Sequence, residues 1–535
     1  MGSSARHGTG SQVRLSDRVR VILDATVRVY QTDPAYRQRP EVADELRRIG
    51  ARLNAPLRIA LAGTLKSGKS TLVNALVGEC IAPTDATEAT RIVTWFRHGR
   101  APRATANLVG GRRAEVPISR SAAGIGGRSA AGIGGLNFEF GGLRPDDILD
   151  IDVEWPAPQL TAATIVDTPG TSSLTHGVSE RTLRLLVPPD GVPRVDAVVF
   201  LLRTLNAPDI ALLKQIGELV GGSAGALGVI GVASRADEIG AGRIDAMLSA
   251  KDVAQRFTAE LERTGVCQAV VPVSGLLALT AQTLRQSEFD ALSALADVDA
   301  AELNKAMLSA DRFVRDDPGL PVDAATRAAL LERLGMFGLR ISLALLRSGV
   351  TDSGTLARDL LERSGLPALR DEIDQHFAQR SDLLKSHTAL IALRRLVQLH
   401  PTHATPRVLA DIEPLLADTH AFEELRLLSQ LRSQPTTFND DEMASLRRIL
   451  GGSGTDAARR LGLTAQSSHE GLCAASAADG PRAASAADGP RAAFAAAQRW
   501  RRRADHPLND PFTARACRAA VRSAEGLVAW YAGLV

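Results

Sequence analysis

Residues 57–70, LRIALAGTLKSGKS, constrain this chain more than any other stretch. The apolar run 57–62 reads as a buried strand. Gly63 ends it, and Gly68-Lys69-Ser70 open an apolar-periodic helix that runs from Thr71 to about Cys80. A strand, a loop bounded by glycines and a helix form the context of a phosphate-binding loop. Gly63 and Gly68 permit the tight backbone that turns the N–H groups of Thr64, Leu65, Lys66 and Ser67 toward phosphate oxygens. The helix that Thr71 continues adds its positive end. In such a loop Lys69 reaches the β- and γ-phosphates, and the Ser70 hydroxyl ligates Mg2+.

The surrounding pattern predicts an α/β domain. Short apolar runs at 57–62, 163–166, 195–202, 227–233 and 269–273 are separated by helical segments, as in a mixed, mostly parallel sheet covered on both faces. Ile151, Val153 and Trp155 alternate with Asp150, Asp152 and Glu154, which predicts a half-exposed strand at an edge. Asp167-Thr-Pro-Gly170 follows the run 163–166. A carboxylate there can hold Mg2+, and the Gly170 N–H can meet a γ-phosphate. Between the two motifs, segment 83–91 holds Thr84, Thr87 and Thr90, any of which could add a hydroxyl to the metal in a segment that switches with the γ-phosphate. Ser234-Arg235-Ala236-Asp237 follows the run 227–233. Asp237 could accept from the N1–H and the exocyclic amine of guanine, a donor pair adenine lacks, with Arg235 along the base. Ser274-Gly275, after the next run, could present backbone N–H groups to the base oxygen.

Outside this region the chain reads as helix. Two helices are expected in 11–54, the second opened by Pro40, and an uninterrupted helix from Leu366 to Val397, about 34 residues or ~50 Å long. Asp510-Pro511 starts a last helix. Lys plus Arg is 63 and Asp plus Glu is 60 in 535 residues, a balance that argues against a nucleic-acid footprint over the whole chain. Cys80, Cys267, Cys473 and Cys517 have no metal or redox spacing and read as reduced thiols. The first ten residues lack the apolar core of a signal peptide. Residues 265–284 read as a strand and a turn, not a membrane span, so membrane contact would be peripheral. Residues 120–127 recur as 128–135, and 474–482 as 483–491; such duplications predict exposed loops. The run Arg499-Trp-Arg-Arg-Arg503 reads either as a contact for acidic headgroups or as a helix end complementing its dipole.

These motifs, with the helical continuation and segment 330–339 as a domain link, resemble the dynamin superfamily of large GTPases, in particular its bacterial members. The resemblance covers nearly the whole chain. It implies a P-loop GTPase domain with an elongated helical neck and trunk: residues 1–10 disordered, 11–54 neck helices, 55–325 the GTPase domain with a Gly-rich loop at 120–135, 326–464 the trunk, 465–497 a linker and 498–535 the C-terminal neck helix. It implies GTP/GDP and Mg2+ as ligands, Thr90 as the switch threonine, self-association through GTPase domains, and a cytoplasmic protein peripheral to the inner face of the plasma membrane, where it remodels an acidic lipid surface. A GTP-dependent switch or scaffold, which could partner a second dynamin-like protein, is the other reading. Two departures stand out. The guanine motif of the family is usually Thr/Asn-Lys-x-Asp, and many eukaryotic members carry Gln and Ser where this chain has Leu65 and Lys66. Leu65 cannot orient water, which implies slow turnover or an impaired enzyme. Lys66 either takes the place of the family's monovalent cation at the phosphates, or is an ordinary solvated or partner-facing lysine.

Overall fold

The computed structural model describes residues 15–532 apart from 37–38, 65, 84–91, 121–134, 171–181, 183, 187, 189–191, 221–227, 241, 265–266, 268, 316–318, 418–419, 434–435 and 464–481. Nine strands form one sheet: β1 (Leu57–Gly63), β2 (Val93–His98), β3 (Arg103–Leu108), β4 (Arg113–Glu115), β7 (Ile148–Trp155), β8 (Ala163–Asp167), β9 (Ala197–Leu202), β10 (Val229–Ser234) and β11 (Val270–Val273). A separate hairpin pairs β5 (Ile118–Arg120) with β6 (Leu136–Phe138). The sheet order is β11-β10-β9-β1-β8-β2-β7-β3-β4. The five strands from β11 to β8 run parallel, and the antiparallel pairings β8–β2, β7–β3 and β3–β4 make the sheet mixed.

The continuous apolar runs have a direct cause. Successive side chains of a strand point to opposite faces, and here both faces are covered. In β9, Ala197, Val199 and Leu201 enter one core while Val198, Phe200 and Leu202 enter another. The same division separates Leu57, Ile59 and Leu61 of β1 from Ala60 and Ala62. The alternating strand β7 is half-exposed as expected but is not an edge strand, since it pairs β2 on one side and β3 on the other. Its polar face meets neighbours: Asn107 donates to Asp150, and Arg97 pairs with Asp152 at 2.8 Å. One-sided burial, not an unpaired edge, produced the alternation.

The helical part departs from expectation in four places. The long helix from Leu366 is broken into Leu366–His376 and Ser381–Leu399 by a short 3-10 turn, Ala378–Arg380. The chain bends at Phe377, which is fully buried in the core beneath the sheet, while Arg380 donates to the Gly451 carbonyl. The N-terminal helices Leu15–Thr32 and Pro40–Asn54 share a core with Ser381–Leu399 and Thr405–Ala417. The C-terminal helix Pro511–Tyr531 belongs to a different core, with Arg482–Ala504 and Asp440–Ile449. No described core cluster therefore joins the two expected halves of a neck. Residues 482–497, expected as linker, form helix, and so does the duplicated copy 483–491; Gly489 lets this helix approach Tyr531, whose ring carbon would lie 2.2 Å from a Cβ there. Most of the other copy, residues 1–10, expected as disordered, and most of the 120–135 duplication lie outside the described residues. After β11 comes the helix Gly275–Gln282 in place of a turn. Among the described residues no helix is long and apolar enough to cross a membrane, and Cys80, Cys267 and Cys517 are free thiols.

Candidate functional site

The phosphate-type loop leaves the centre of the sheet, where β1 is paired on both sides. Gly63 has φ +149°, and a Cβ there would lie 2.5 Å from the Leu201 carbonyl oxygen, so the strand can close on β9 only with glycine. Gly68, at φ +89°, is the N-cap of the helix Lys69–Val77 and offers no side-chain cap bond. The first-turn N–H groups thus remain for a ligand. Lys66 is exposed, with φ +60°. Lys69 is buried, and its Nζ donates to the Gly63 and Thr64 carbonyls at 3.1 and 2.9 Å. Burial lowers its pKa to about 8 against the pull of the Asp167 charge.

Asp167 ends β8 in register with Leu61. Ser70 Oγ donates to its Oδ2 at 2.7 Å, and its Oδ1 is buried without a hydrogen-bond partner. Burial raises this carboxyl to about 6, opposed by the Ser70 hydroxyl, the Lys69 charge and the Thr168 N–H. Thr168 Oγ1 donates to Leu61 O at 2.7 Å, tying the start of the Asp167–Gly170 turn to β1; Gly170 is buried. The Ser67 hydroxyl is a second buried oxygen without a partner. Mg2+ prefers oxygen ligands and is commonly held by one or two carboxylates together with substrate phosphates. The hydroxyl of Ser70 and the half-satisfied Asp167 carboxylate fit that donor set. Among the described residues no group of three His, Cys, Asp or Glu could hold a metal alone.

Asp237 lies just past β10 and is 9% exposed. Burial raises its pKa, with a hydrogen bond from the Ser274 side chain opposing. Arg235, in the left-handed region at φ +52°, pairs through Nη1 with Glu238 Oε1 at 2.5 Å, so its guanidinium is held at the rim. Ser274 differs from expectation. Its backbone N–H already donates to Ser364 O at 2.9 Å. Its Oγ accepts from the Leu277 N–H and touches Asp237, so it orients the acid and caps the helix Gly275–Gln282. Of that pair, only Gly275 keeps the role first assigned to both.

Ser67, Gly68, Thr71, Ser234, Arg235, Asp237 and Gly275 line one cleft of about 140 Å³, floored by Leu201, Val232 and Val273. The loops that supply them follow β1, β10 and β11, so three segments distant in sequence meet at the carboxyl ends of parallel strands, where α/β sheets bind ligands. Lys69, Ser70 and Asp167 are not in this lining; Asp167 is bonded to Ser70, the chain neighbour of the lining residue Thr71. Leu65, Thr84, Thr87 and Thr90 lie outside the described residues. One neighbour of the site carried no motif: Gly335, a glycine inside the helical segment 330–339, whose position behind Asp237 comes only from the fold.

A model of the dynamin family matches residues 59–192, which include the Lys69 loop and Asp167. Over 514 residues the chain is 69% identical to the isoniazid-induced protein IniC of Mycobacterium tuberculosis, covering 96% of this chain and 98% of that protein. The chain belongs to the IniC family of bacterial dynamin-like proteins. Isoniazid-induced protein IniA of the same organism is 25% identical over 285 residues, 50% of this chain and 38% of IniA. A solved structure of an oligomerised bacterial dynamin pair, described as a mechanism for long-range sensing and tethering of membranes, is 13% identical, with coverage of 82% of this chain and 78% of that one and a TM-score of 0.27.

Proposed function

We propose that this chain binds GTP with Mg2+, hydrolyses it slowly, and couples the nucleotide state to pairing of GTPase domains and movement of its helices on a membrane. The observation that carries the reading is the single cleft in which the Lys69 loop and Asp237 face each other. Lys69 and the loop N–H groups neutralise the phosphates, which is most of what phosphoryl transfer asks of a protein. Asp237, oriented by Ser274, selects the purine. Ser70 and Asp167 would hold Mg2+, which would supply charge neutralisation to the triphosphate. In this reading Thr90 is the switch residue and Lys66 supplies a positive charge that stabilises the transition state. Loss of rate in Lys66→Ala, with no K+ or Na+ dependence in wild type, supports that role; an unchanged rate removes it.

A switch or scaffold that never bends lipid is the second reading. It is favoured by the internal pairing of Arg501 with Glu525 and of Arg503 with Glu442, which offsets the charge of half of the basic run. Phosphate release from GTP and ATP by wild type and Lys69→Ala, with and without acidic liposomes, tests both. GTP-selective release lost in Lys69→Ala is expected. Release unaffected by liposomes, together with no change in liposome shape, favours the second reading. No release of either nucleotide removes the enzyme.

A further inference from the structure

The C-terminal bundle holds a second charged cleft, remote in sequence from the nucleotide motifs. It runs between the helices Asp440–Ile449, Ala457–Leu461 and Arg482–Ala504, is open to solvent, and has a volume of about 420 Å³. From the last of these helices come Ala492, Ala495, Ala496, Arg499 and Arg502, spaced three and four apart and so on one face. Alanine methyls with Ile449 and Leu461 make its floor, and Arg448, Arg460, Arg499 and Arg502 its polar part. Among the described lining residues there is no carboxylate.

The charge balance around this cleft is uneven. Arg501 and Arg503, on other faces of the helix, are matched by Glu525 and Glu442. Arg460 is matched by Glu424. Among the described residues the hydrogen-bond partner of Arg499 is the neutral Ser445 hydroxyl, and its guanidinium is stacked on Trp500, 5.1 Å from the ring centroid. Burial and the neighbouring Arg448 charge both disfavour its cationic form. Like charges three apart on a helix repel, and a third faces them from the adjacent helix.

The geometry points to a binding site for a phosphate-bearing anion, held by Arg448, Arg499 and Arg502. Arg guanidinium forks match phosphate oxygens two at a time, and the alanine floor leaves room for an apolar group attached to the phosphate. A phospholipid headgroup and a soluble phosphate share this chemistry. The site stands apart from the GTP reading and does not depend on it.

The test uses the full chain and the variant Arg448→Ala/Arg502→Ala, leaving Arg499 and its Trp500 stacking in place. Inorganic phosphate binding is measured by calorimetry in the Lys69→Ala background, which silences the nucleotide loop, and flotation is measured with phosphatidylcholine vesicles with and without phosphatidylglycerol. Each basic residue near an anionic surface is worth about fivefold, so the double variant is expected to bind acidic vesicles about thirtyfold more weakly. Loss of vesicle binding in the variant identifies a lipid headgroup. Phosphate binding that the variant loses, with no vesicle binding by either protein, identifies a soluble ligand. Binding equal in the two proteins, or no binding of either probe by the parent chain, overturns the site. Circular dichroism melts confirm that the variant is folded, and unchanged GTP turnover without vesicles is expected; failure of turnover in both proteins bears on the nucleotide reading and not on this one.

Discussion

Gly335 backs directly onto Asp237: a Cβ at 335 would sit 3.8 Å from the Asp237 Oδ2 and 3.6 Å from Leu276. At this residue the helix Ala324–Arg347 departs from helical geometry, with φ +64° and ψ 176°. Five residues on, Arg340 Nη1 donates to the Gly242 carbonyl at 2.6 Å, tying the same helix to the loop that follows Asp237. The helix leading into the trunk is thus bent against the acid that would read the purine.

The backbone at 335 is in a region essentially restricted to glycine, where another residue costs about 1–3 kcal/mol. The space itself is adequate, since 3.6–3.8 Å is ordinary contact. Gly335→Ala is therefore expected to lower stability through strain and not through a clash. Urea unfolding at pH 7 measures it; an unchanged midpoint would show that the bend is not enforced by the fold.

Asp237→Ala removes an ionisable acceptor from the cleft. Hydrogen bonds to charged groups contribute about 1.5–3 kcal/mol each, so GTP affinity should fall by at least tenfold while ATP affinity stays where it was. Calorimetry with both nucleotides reads this. Equal losses for GTP and ATP would mean that the acid supports the fold and does not choose the base.

Asp167 gives a signed pH prediction. Its carboxyl is held at about 6 in the fold, above an unfolded value near 3.9. Between those values folding takes up a proton. The destabilisation from this group is absent below about pH 4, grows through the interval, and is complete above about pH 6 at roughly 3 kcal/mol. The ligand-free Asp167→Asn variant should melt above wild type at pH 7, and the gap should close as the pH falls toward 4. A gap that widens on acidification would contradict the buried-charge account.

Arg52 and Asp196 join the second N-terminal helix to the start of β9. The guanidinium meets Asp196 Oδ1 at 3.0 Å and the Pro193 carbonyl at 2.6 Å, and the Arg58 N–H donates to Asp196 Oδ2 at 2.9 Å. Both side chains are buried, at 10% and 1% exposure. Removing one partner strands the other charge, which costs about 3–5 kcal/mol. Asp196→Ala should approach that loss, and proteolysis should then release the N-terminal helices first. Cleavage at wild-type rates would show that the pair does not anchor them.

Sequence alone determined the parts whose chemistry is local. Gly63 and Gly68 mark the loop because few other residues can turn the backbone there, and β1, β8, β9, β10 and β11 are legible because strands covered on both faces have no polar side to show. The caps at Pro40 and Asp510 are equally local. Tertiary structure decided what each apolar face meets. A helical stripe shows that a face is buried but not against which neighbour, because burial of apolar surface is non-directional. The N-terminal pair therefore docks on Ser381–Leu399 and not on the last helix, and Phe377 breaks a regular pattern to fill the core under the sheet. The same reason hides Gly335 behind Asp237, and leads the Ser274 N–H to Ser364 instead of a base. Those pairings join residues 90 or more apart in the chain, and no spacing in the sequence encodes them.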